Sequence, residues 1–122
     1  MTIILIDNNE KNLCFLENCV ANIGLPCDVV KFDNSLNAYD FISLSDEELI
    51  IFTEVNLKSL NGLALIKKIK TFGKKLYVAF VTDTKDYAMD AWELSADDYI
   101  LKPADSNRIK DSVRMGVRKV YG

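Results

Sequence analysis

Short apolar runs alternate along the chain with segments whose apolar residues recur at every third or fourth position. The runs have the length of β-strands, and four of the five are nearly continuous in apolar residues, as in strands covered on both faces. They occupy residues 3–6, 29–32, 49–52, 77–81 and 99–101. The alternation predicts five strands of a parallel sheet.

The intervening and final segments have the apolar period of amphipathic helices. Their stripes are Leu13, Leu16, Val20 and Ile23; Leu36, Tyr39 and Ile42; Leu63, Ile66 and Ile69; Ala88, Ala91 and Ser95; and Ile109, Val113, Val117 and Val120. Gly24 and Pro26 predict the end of the first helix, and Gly73 predicts that of the third. Either Asn34 or Ser35 is expected to cap the second.

The order is strand then helix, five times, with short connections. We therefore predict an α/β fold of the flavodoxin-like kind, with a five-stranded parallel sheet in the order 2-1-3-4-5 and helices on both faces. The 122 residues suit one compact domain, which we expect to span residues 1–122.

Composition excludes several classes of function. A net charge of -3 argues against direct nucleic-acid binding. No apolar stretch approaches the roughly 20 residues of a membrane span, and the first residues lack the basic start of a signal peptide. Cys14, Cys19 and Cys27 form no closely spaced pair and the chain has no histidine, so we expect buried free thiols and no zinc site. These features predict a cytoplasmic protein that does not bind membranes.

Polar side chains follow the ends of four predicted strands. They are Asp7, Asn8 and Asn9; Thr53 and Glu54; Thr82 and Asp83; and Lys102 and Pro103. Because the carboxyl ends of parallel strands meet at one edge of a sheet, we expect these groups to lie close together. Their oxygens suit a hard cation such as Mg²⁺, while a lysine and a threonine hydroxyl suit an anion. Singly, each also has a plainer interpretation, since Asp7 or Asn8 could cap the first helix and Lys102 could be a solvated loop residue.

Three stretches resemble the receiver domain of two-component response regulators, and the resemblance covers essentially the whole chain. They are residues 3–7, residues 49–70, and residues 80–82 with residues 96–103. The resemblance implies that Asp7, Asn8, Glu54 and the carbonyl of Asn56 stand at the Mg²⁺ ligands. It implies that Glu54 stands at the phosphorylated aspartate. The Tyr87-Ala88 and Ala91-Trp92 spacing is similar to that of receivers that precede LytTR-type DNA-binding domains.

The resemblance also assigns a switch. Thr82 and Lys102 match the groups that hold the phosphoryl oxygens, and Tyr99 matches the aromatic residue that changes rotamer on activation. The Lys102-Pro103 bond resembles one that is cis in the family. Lys58 replaces a proline that is common after the acceptor, which predicts a looser loop.

Two departures from the family affect the chemistry. Asn8 removes one negative charge from the metal site, which predicts weak Mg²⁺ binding. Glu54 adds a methylene that displaces the carboxylate by about 1.5 Å, and phosphoryl transfer depends on finer positioning. Three hypotheses remain open: Glu54 imitates a phosphorylated aspartate, it forms a structural pair with Lys102, or it retains some phosphorylation.

The resemblance predicts a regulatory module and not an enzyme, with a histidine kinase or an output domain as partner, the latter DNA-binding in a longer chain. A homodimer through the fourth helix, fifth strand and fifth helix is a further expectation. The charged residues of that face are Asp97, Asp98, Arg108, Lys110, Asp111, Arg114 and Arg118; they could equally be solvated. We expect Trp92 in the core.

The main alternative is a working receiver that a histidine kinase phosphorylates with Mg²⁺. The segment after the first strand disfavours flavin-binding and haloacid-type hydrolase domains on the same fold.

Overall fold

Ten elements alternate strictly between strand and helix in the computed structural model, which describes residues 1–122. They are β1 (Thr2–Ile6), α1 (Glu10–Ala21), β2 (Asp28–Phe32), α2 (Ser35–Leu44), β3 (Leu49–Thr53), α3 (Gly62–Lys70), β4 (Leu76–Thr82), α4 (Ala88–Glu93), β5 (Asp98–Leu101) and α5 (Ser106–Tyr121). The sheet is parallel throughout, in the order β2-β1-β3-β4-β5, which confirms the predicted fold. None of the helices is long and apolar enough to cross a membrane.

The core has two apolar layers, one on each face of the sheet. Alternate residues of β1 point to opposite layers, with Ile3 and Leu5 in one and Ile4 and Ile6 in the other. Helices α1 and α5 complete the first layer, and α2, α3 and α4 complete the second. All residues of β1, β3 and β4 are buried, which explains their continuous apolar sequences.

Asparagine side chains cap the first three helices. Asn9, Asn34 and Asn61 each accept a hydrogen bond from a backbone N–H in the first turn of the helix that follows. The cap of α1 is therefore Asn9, and the expectation that Asp7 or Asn8 caps this helix was wrong. Since capping does not use these two side chains, both are left for the edge of the sheet.

The fourth helix differs most from its prediction. It has only six residues and buries only Ala91, while Ser95 lies outside it with a φ of 59°. Trp92 is 54% exposed, so its expected place in the core was wrong. A helix of less than two turns has too few apolar positions to reveal which face is buried.

Two smaller expectations also need correction. The buried residues of α2 are Ser35, Ala38 and Ile42, so Leu36 lies off this face and is exposed. Of the three cysteines only Cys19 is buried, because Cys14 lies on the outer face of α1 and Cys27 in the segment before the edge strand β2. Burial raises the pKa of the Cys19 thiol, as expected of an inert structural cysteine.

Candidate functional site

The predicted site residues meet at the carboxyl edge of the sheet. Asp7 directly follows β1, Glu54 directly follows β3, and Lys102 directly follows β5. The Lys102 Nζ lies 2.7 Å from Asp7 Oδ2 and 2.9 Å from Glu54 Oε1. The three side chains thus form one cluster across three strands, although 95 positions separate Asp7 from Lys102.

One ammonium group donates hydrogen bonds to two carboxylates in this cluster. The side chains of Asp7, Glu54 and Lys102 are 3%, 8% and 18% exposed, so water screens their charges little. Burial lowers the pKa of Lys102, but the hydrogen bonds and charges of Asp7 and Glu54 outweigh this effect and raise the pKa above its ordinary value. Lys102 is therefore charged at neutral pH and contacts both carboxyl groups.

The second oxygen of Glu54 is bound to the backbone. The N–H groups of Val55 and Asn56 both donate to Glu54 Oε2, while Oε1 accepts from Lys102. The carboxylate thus turns back onto the chain that directly follows it. Both oxygens of the side chain predicted to stand at the phosphoacceptor position accept hydrogen bonds within the protein.

The residues predicted to hold Mg²⁺ lie together, but as arranged they do not fit the ion. Asn8 turns its amide N–H₂ toward the Asn56 carbonyl, with 2.8 Å between Nδ2 and the oxygen. The Asn9 N–H donates to Asp7 Oδ1 at 2.9 Å, and Lys102 occupies Asp7 Oδ2. The chain has no cluster of three or more carboxylates, thiols or imidazoles that could hold a metal. An incoming ion would have to displace these donors before it reached the oxygens.

Thr82 carries a buried hydroxyl without a partner. The residue is fully buried at the end of β4, and no group donates to or accepts from its Oγ1. Leaving such a group unpaired costs about 1–3 kcal/mol. Glu54 contacts Lys102 but does not hydrogen-bond Thr82, so it engages only one of the two groups that were predicted to hold an anion.

Tyr99 is held against the segment after β4. Its hydroxyl donates to the Thr84 carbonyl at 2.6 Å, and its ring lies 6.4 Å from that of Phe80. Burial raises the pKa of the Tyr99 hydroxyl, so it stays protonated and remains a donor. This contact fixes one rotamer of the predicted switch residue.

Two residues that the sequence did not single out for the site hold the loop after Glu54. The Ser35 hydroxyl donates to the Lys58 carbonyl at 3.0 Å and accepts from the Leu60 N–H at 3.1 Å, so α2 ties this loop despite the missing proline. A Cβ at Gly62 would collide with the Glu54 carbonyl, so only glycine lets α3 start this close. The Lys102-Pro103 bond is cis, as the resemblance implied.

Most of the charges predicted for an interaction face pair within the chain. Arg108 makes two hydrogen bonds to Asp98, at 2.7 and 2.6 Å. Asp97 accepts from Lys119 at 2.6 Å, and an Asp111–Arg114 pair at 3.3 Å lies along α5. Ion pairs between subunits through Asp97, Asp98 or Arg108 would first have to break these contacts. Arg118 is exposed and makes no ion pair.

The same face also carries large apolar side chains that are exposed to solvent. Met89 and Trp92, three positions apart on α4, are 75% and 54% exposed. Leu101 on β5 and Met115 on α5 are also exposed. Exposed apolar residues of this size are characteristic of protein–protein contact surfaces when they are contiguous.

A family model described as the response regulator receiver domain matches residues 3–114. Protein MrkE of Klebsiella pneumoniae is 32% identical over 112 residues, which are 89% of this chain and 40% of that protein. The transcriptional regulatory protein YpdB of Escherichia coli K12 is 38% identical over 78 residues, 64% of this chain and 32% of that protein. The chain therefore spans well under half the length of these curated relatives.

A solved structure agrees with these matches. The crystal structure of the response regulatory domain of MrkE has a TM-score of 0.88 and 29% identity to the chain, covering 97% of this chain and 96% of that domain. The similarity thus extends over the whole of the domain described above.

Proposed function

The chain belongs to the response regulator receiver domain family, and from that premise we propose that it is an atypical receiver with phosphorylation lost or impaired. It regulates a partner or an output domain through protein interaction. Receiver domains are generally signalling modules and not enzymes, and they interact with histidine kinases and output domains. The observation that carries the proposal is the full engagement of the Glu54 carboxylate by Lys102 and two backbone N–H groups.

Phosphoryl transfer needs an acceptor oxygen that is free to attack in line with the leaving group. The contacts with Lys102 and with two backbone N–H groups fix the orientation of the Glu54 carboxylate, so it would have to turn away from the chain that follows it to meet a phosphoryl group in line. The weak donor set for Mg²⁺ adds to this, because the metal neutralises charge that develops during transfer. These two obstacles act independently and both lower the rate.

The contacts favour internal pairing of Glu54 with Lys102 as the ground state of the site. Mimicry of a phosphorylated aspartate also calls for Thr82, and the Thr82 hydroxyl has no partner. Tyr99 is nevertheless held in one rotamer by its hydrogen bond to the Thr84 carbonyl. We therefore keep mimicry as a hypothesis that the experiment below separates from pairing.

A second candidate function is that of a working receiver, phosphorylated by a histidine kinase with Mg²⁺. The unpartnered Thr82 hydroxyl and the retained Lys102 ammonium favour it, because these two groups could hold phosphoryl oxygens. In this reading Asp7, Asn8 and Asn56 hold the ion only after Asn8 releases the Asn56 carbonyl.

We further propose that the chain acts in the cytoplasm and controls transcription as part of a longer protein with a DNA-binding output domain. The names of YpdB and of LytR from Staphylococcus saprophyticus, a transcriptional regulatory protein and a sensory transduction protein, support this role.

A homodimer through α4, β5 and α5 would bury Met89 and Trp92. Sedimentation of the protein and of Trp92→Ala should then give a dimer only for the former, and concentration-independent monomers for both would contradict the dimer.

Intact mass after incubation with acetyl phosphate and magnesium tests the central proposal. We expect no phosphoryl gain for the native protein and a gain for Glu54→Asp, because the shorter side chain releases the N–H groups of Val55 and Asn56 and restores the acceptor geometry. Glu54→Gln is the matched control and should gain nothing. Phosphoryl gain on the native protein that Glu54→Gln abolishes would overturn the proposal in favour of a working receiver.

A second measurement separates mimicry from pairing. If Glu54 mimics a phosphorylated aspartate, then Glu54→Gln should shift the NMR signals of Tyr99 and of the segment after β4. If Glu54 only pairs with Lys102, the shifts should stay at the cluster and leave Tyr99 in place.

A further inference from the structure

Four lysines line one pocket at the amino edge of the sheet, opposite the site of Glu54. Lys70 ends α3, Lys74 and Lys75 precede β4, and Lys119 lies in the last turn of α5. Only Leu76, the first residue of β4, completes the lining. Three separate segments thus bring their positive charges to one concave place in a chain whose net charge is -3.

Neutral oxygens hold two of these ammonium groups in position. Lys70 Nζ donates to the Ser95 carbonyl at 3.2 Å. Lys74 Nζ donates to the Ile42 carbonyl at 2.8 Å and to that of Ser45. A carbonyl oxygen orients an ammonium group but carries no formal charge, so these contacts fix the lysines without neutralising them.

Only one carboxylate opposes the cluster. Asp97 Oδ1 accepts from Lys119 Nζ at 2.6 Å, and Lys75 is exposed without an ion pair. Three of the four ammonium groups therefore have no ion-pair partner. Burial lowers the pKa of Lys70, the charge of Asp97 opposes this effect, and the charge of Lys119 adds to it more weakly.

The helix dipole does not explain the whole cluster. Basic residues in the last turn of α3 complement the negative end of its dipole, and Lys67, Lys68 and Lys70 fit that role. Lys74 and Lys75 lie beyond the helix, and Lys119 belongs to a different helix. Their convergence therefore calls for a separate reason, and a bound anion would supply the missing negative charge.

We propose that Lys70, Lys74, Lys75 and Lys119 form a binding site for a phosphate-bearing anion, with a diphosphate group as the unit recognised. Each ammonium group has three N–H donors, and the contacts above leave at least one donor free on each lysine. A diphosphate presents several charged oxygens at once and could contact the three ammonium groups that have no ion-pair partner, whereas one carboxylate offers only two oxygens. The site is distinct from the cluster of Glu54, which lies at the other edge of the sheet.

An NMR titration of the whole chain with sodium diphosphate at low ionic strength tests this site. We expect saturable shifts of the backbone signals of Lys75, Leu76 and Lys119, with no comparable change at Lys102. The Lys70→Met/Lys75→Met double variant should bind at least about tenfold more weakly, a loss of about 1.4 kcal/mol. Lys67→Met/Lys68→Met is the matched control, since it also removes two positive charges, from residues of α3 that do not line the pocket, and it should change the affinity less than about twofold.

The alternatives have different outcomes. Shifts that grow without saturation at lysines throughout the chain, or equal affinity of the two double variants, would overturn the proposal. So would binding of an acidic polyglutamate peptide in place of diphosphate. Equal affinity for diphosphate and a nucleoside triphosphate would support a site for the phosphates alone, and tighter binding of the nucleotide would support a site that also contacts the base. If the double variant fails to fold, Lys75→Met serves instead, because Lys75 is exposed and makes no ion pair.

Discussion

Replacing Lys102 with methionine would leave Asp7 and Glu54 buried side by side without a counter-charge. Methionine keeps most of the apolar length of lysine and removes only the charge and its hydrogen bonds. Breaking a buried ion pair from one side costs about 3–5 kcal/mol. Because the Lys102 side chain is 18% exposed, solvent softens this cost, and we expect a loss near the lower end, about 3 kcal/mol. A domain with a typical unfolding free energy of roughly 5–15 kcal/mol stays folded after such a loss.

The assay is urea unfolding followed by far-ultraviolet circular dichroism. The midpoint should fall while the slope of free energy against urea stays constant, since the surface exposed on unfolding hardly changes. Adding Glu54→Gln should recover part of the loss, because one of the two unpaired charges is then gone. Lys31→Met, which breaks the exposed pair of Lys31 with Glu17, is the matched control and should change nothing measurable.

A Lys102→Met variant as stable as the native protein would refute the reasoning. A deficit that Glu54→Gln does not reduce would show that lost packing, and not charge, is responsible.

Three further predictions concern the attachment of α5 to the sheet. Burial alone would raise the pKa of Asp98, but hydrogen bonds from Arg108 and Ser112 outweigh it and lower the pKa below the ordinary 3.8. A carboxylate whose pKa is lowered on folding adds to the free energy of unfolding above its ordinary pKa and loses this contribution in acid. The stability advantage of the native protein over Asp98→Asn should therefore be full at neutral pH and disappear in acid unfolding titrations below about pH 4. Burial raises the pKa of Tyr77 from 10.0 to about 12. The free energy of unfolding should therefore be unaffected by this group below pH 10 and fall by about 3 kcal/mol as the pH rises to 12. Tyr77→Phe should not show this alkaline loss in urea titrations. Gly116→Ala would place a Cβ 3.0 Å from the Tyr77 ring, and we expect about 1–2 kcal/mol of destabilisation despite the better helix propensity of alanine; a higher midpoint in urea would contradict this.

The fold was predictable because the apolar runs of buried strands and the helical periods alternate without interruption. Parallel strands with short crossovers leave little choice of topology, and the carboxyl ends then meet at one edge. The convergence of Asp7, Glu54 and Lys102 follows from that topology. The face of α4 that holds Trp92 does not, because six helical residues contain too little of the apolar period to orient the helix.

The hydrogen bonds of the site were beyond prediction for a different reason. Whether Glu54 turns toward the backbone N–H groups of the two residues that follow it depends on its rotamers, and whether Asn8 offers its oxygen or its N–H₂ group depends on the orientation of its amide. The surrounding groups determine both the rotamer and the amide orientation, and neither can be read from the residue types alone. The lysine pocket escaped notice because Lys70, Lys75 and Lys119 come from segments that only the folded sheet brings together.

The fifth strand connects the two edges of the sheet. At its carboxyl end Lys102 holds the buried carboxylates, and within the strand Tyr99 holds the segment after β4. At its amino end Asp98 binds Arg108 of α5, and the preceding Asp97 binds Lys119 of the lysine pocket. A group that displaced Lys102 and an anion that drew Lys119 away from Asp97 would therefore act on one strand and one helix. Since coupling between two sites requires an element that both of them bias, β5 together with α5 is the part of this chain through which such coupling would have to pass.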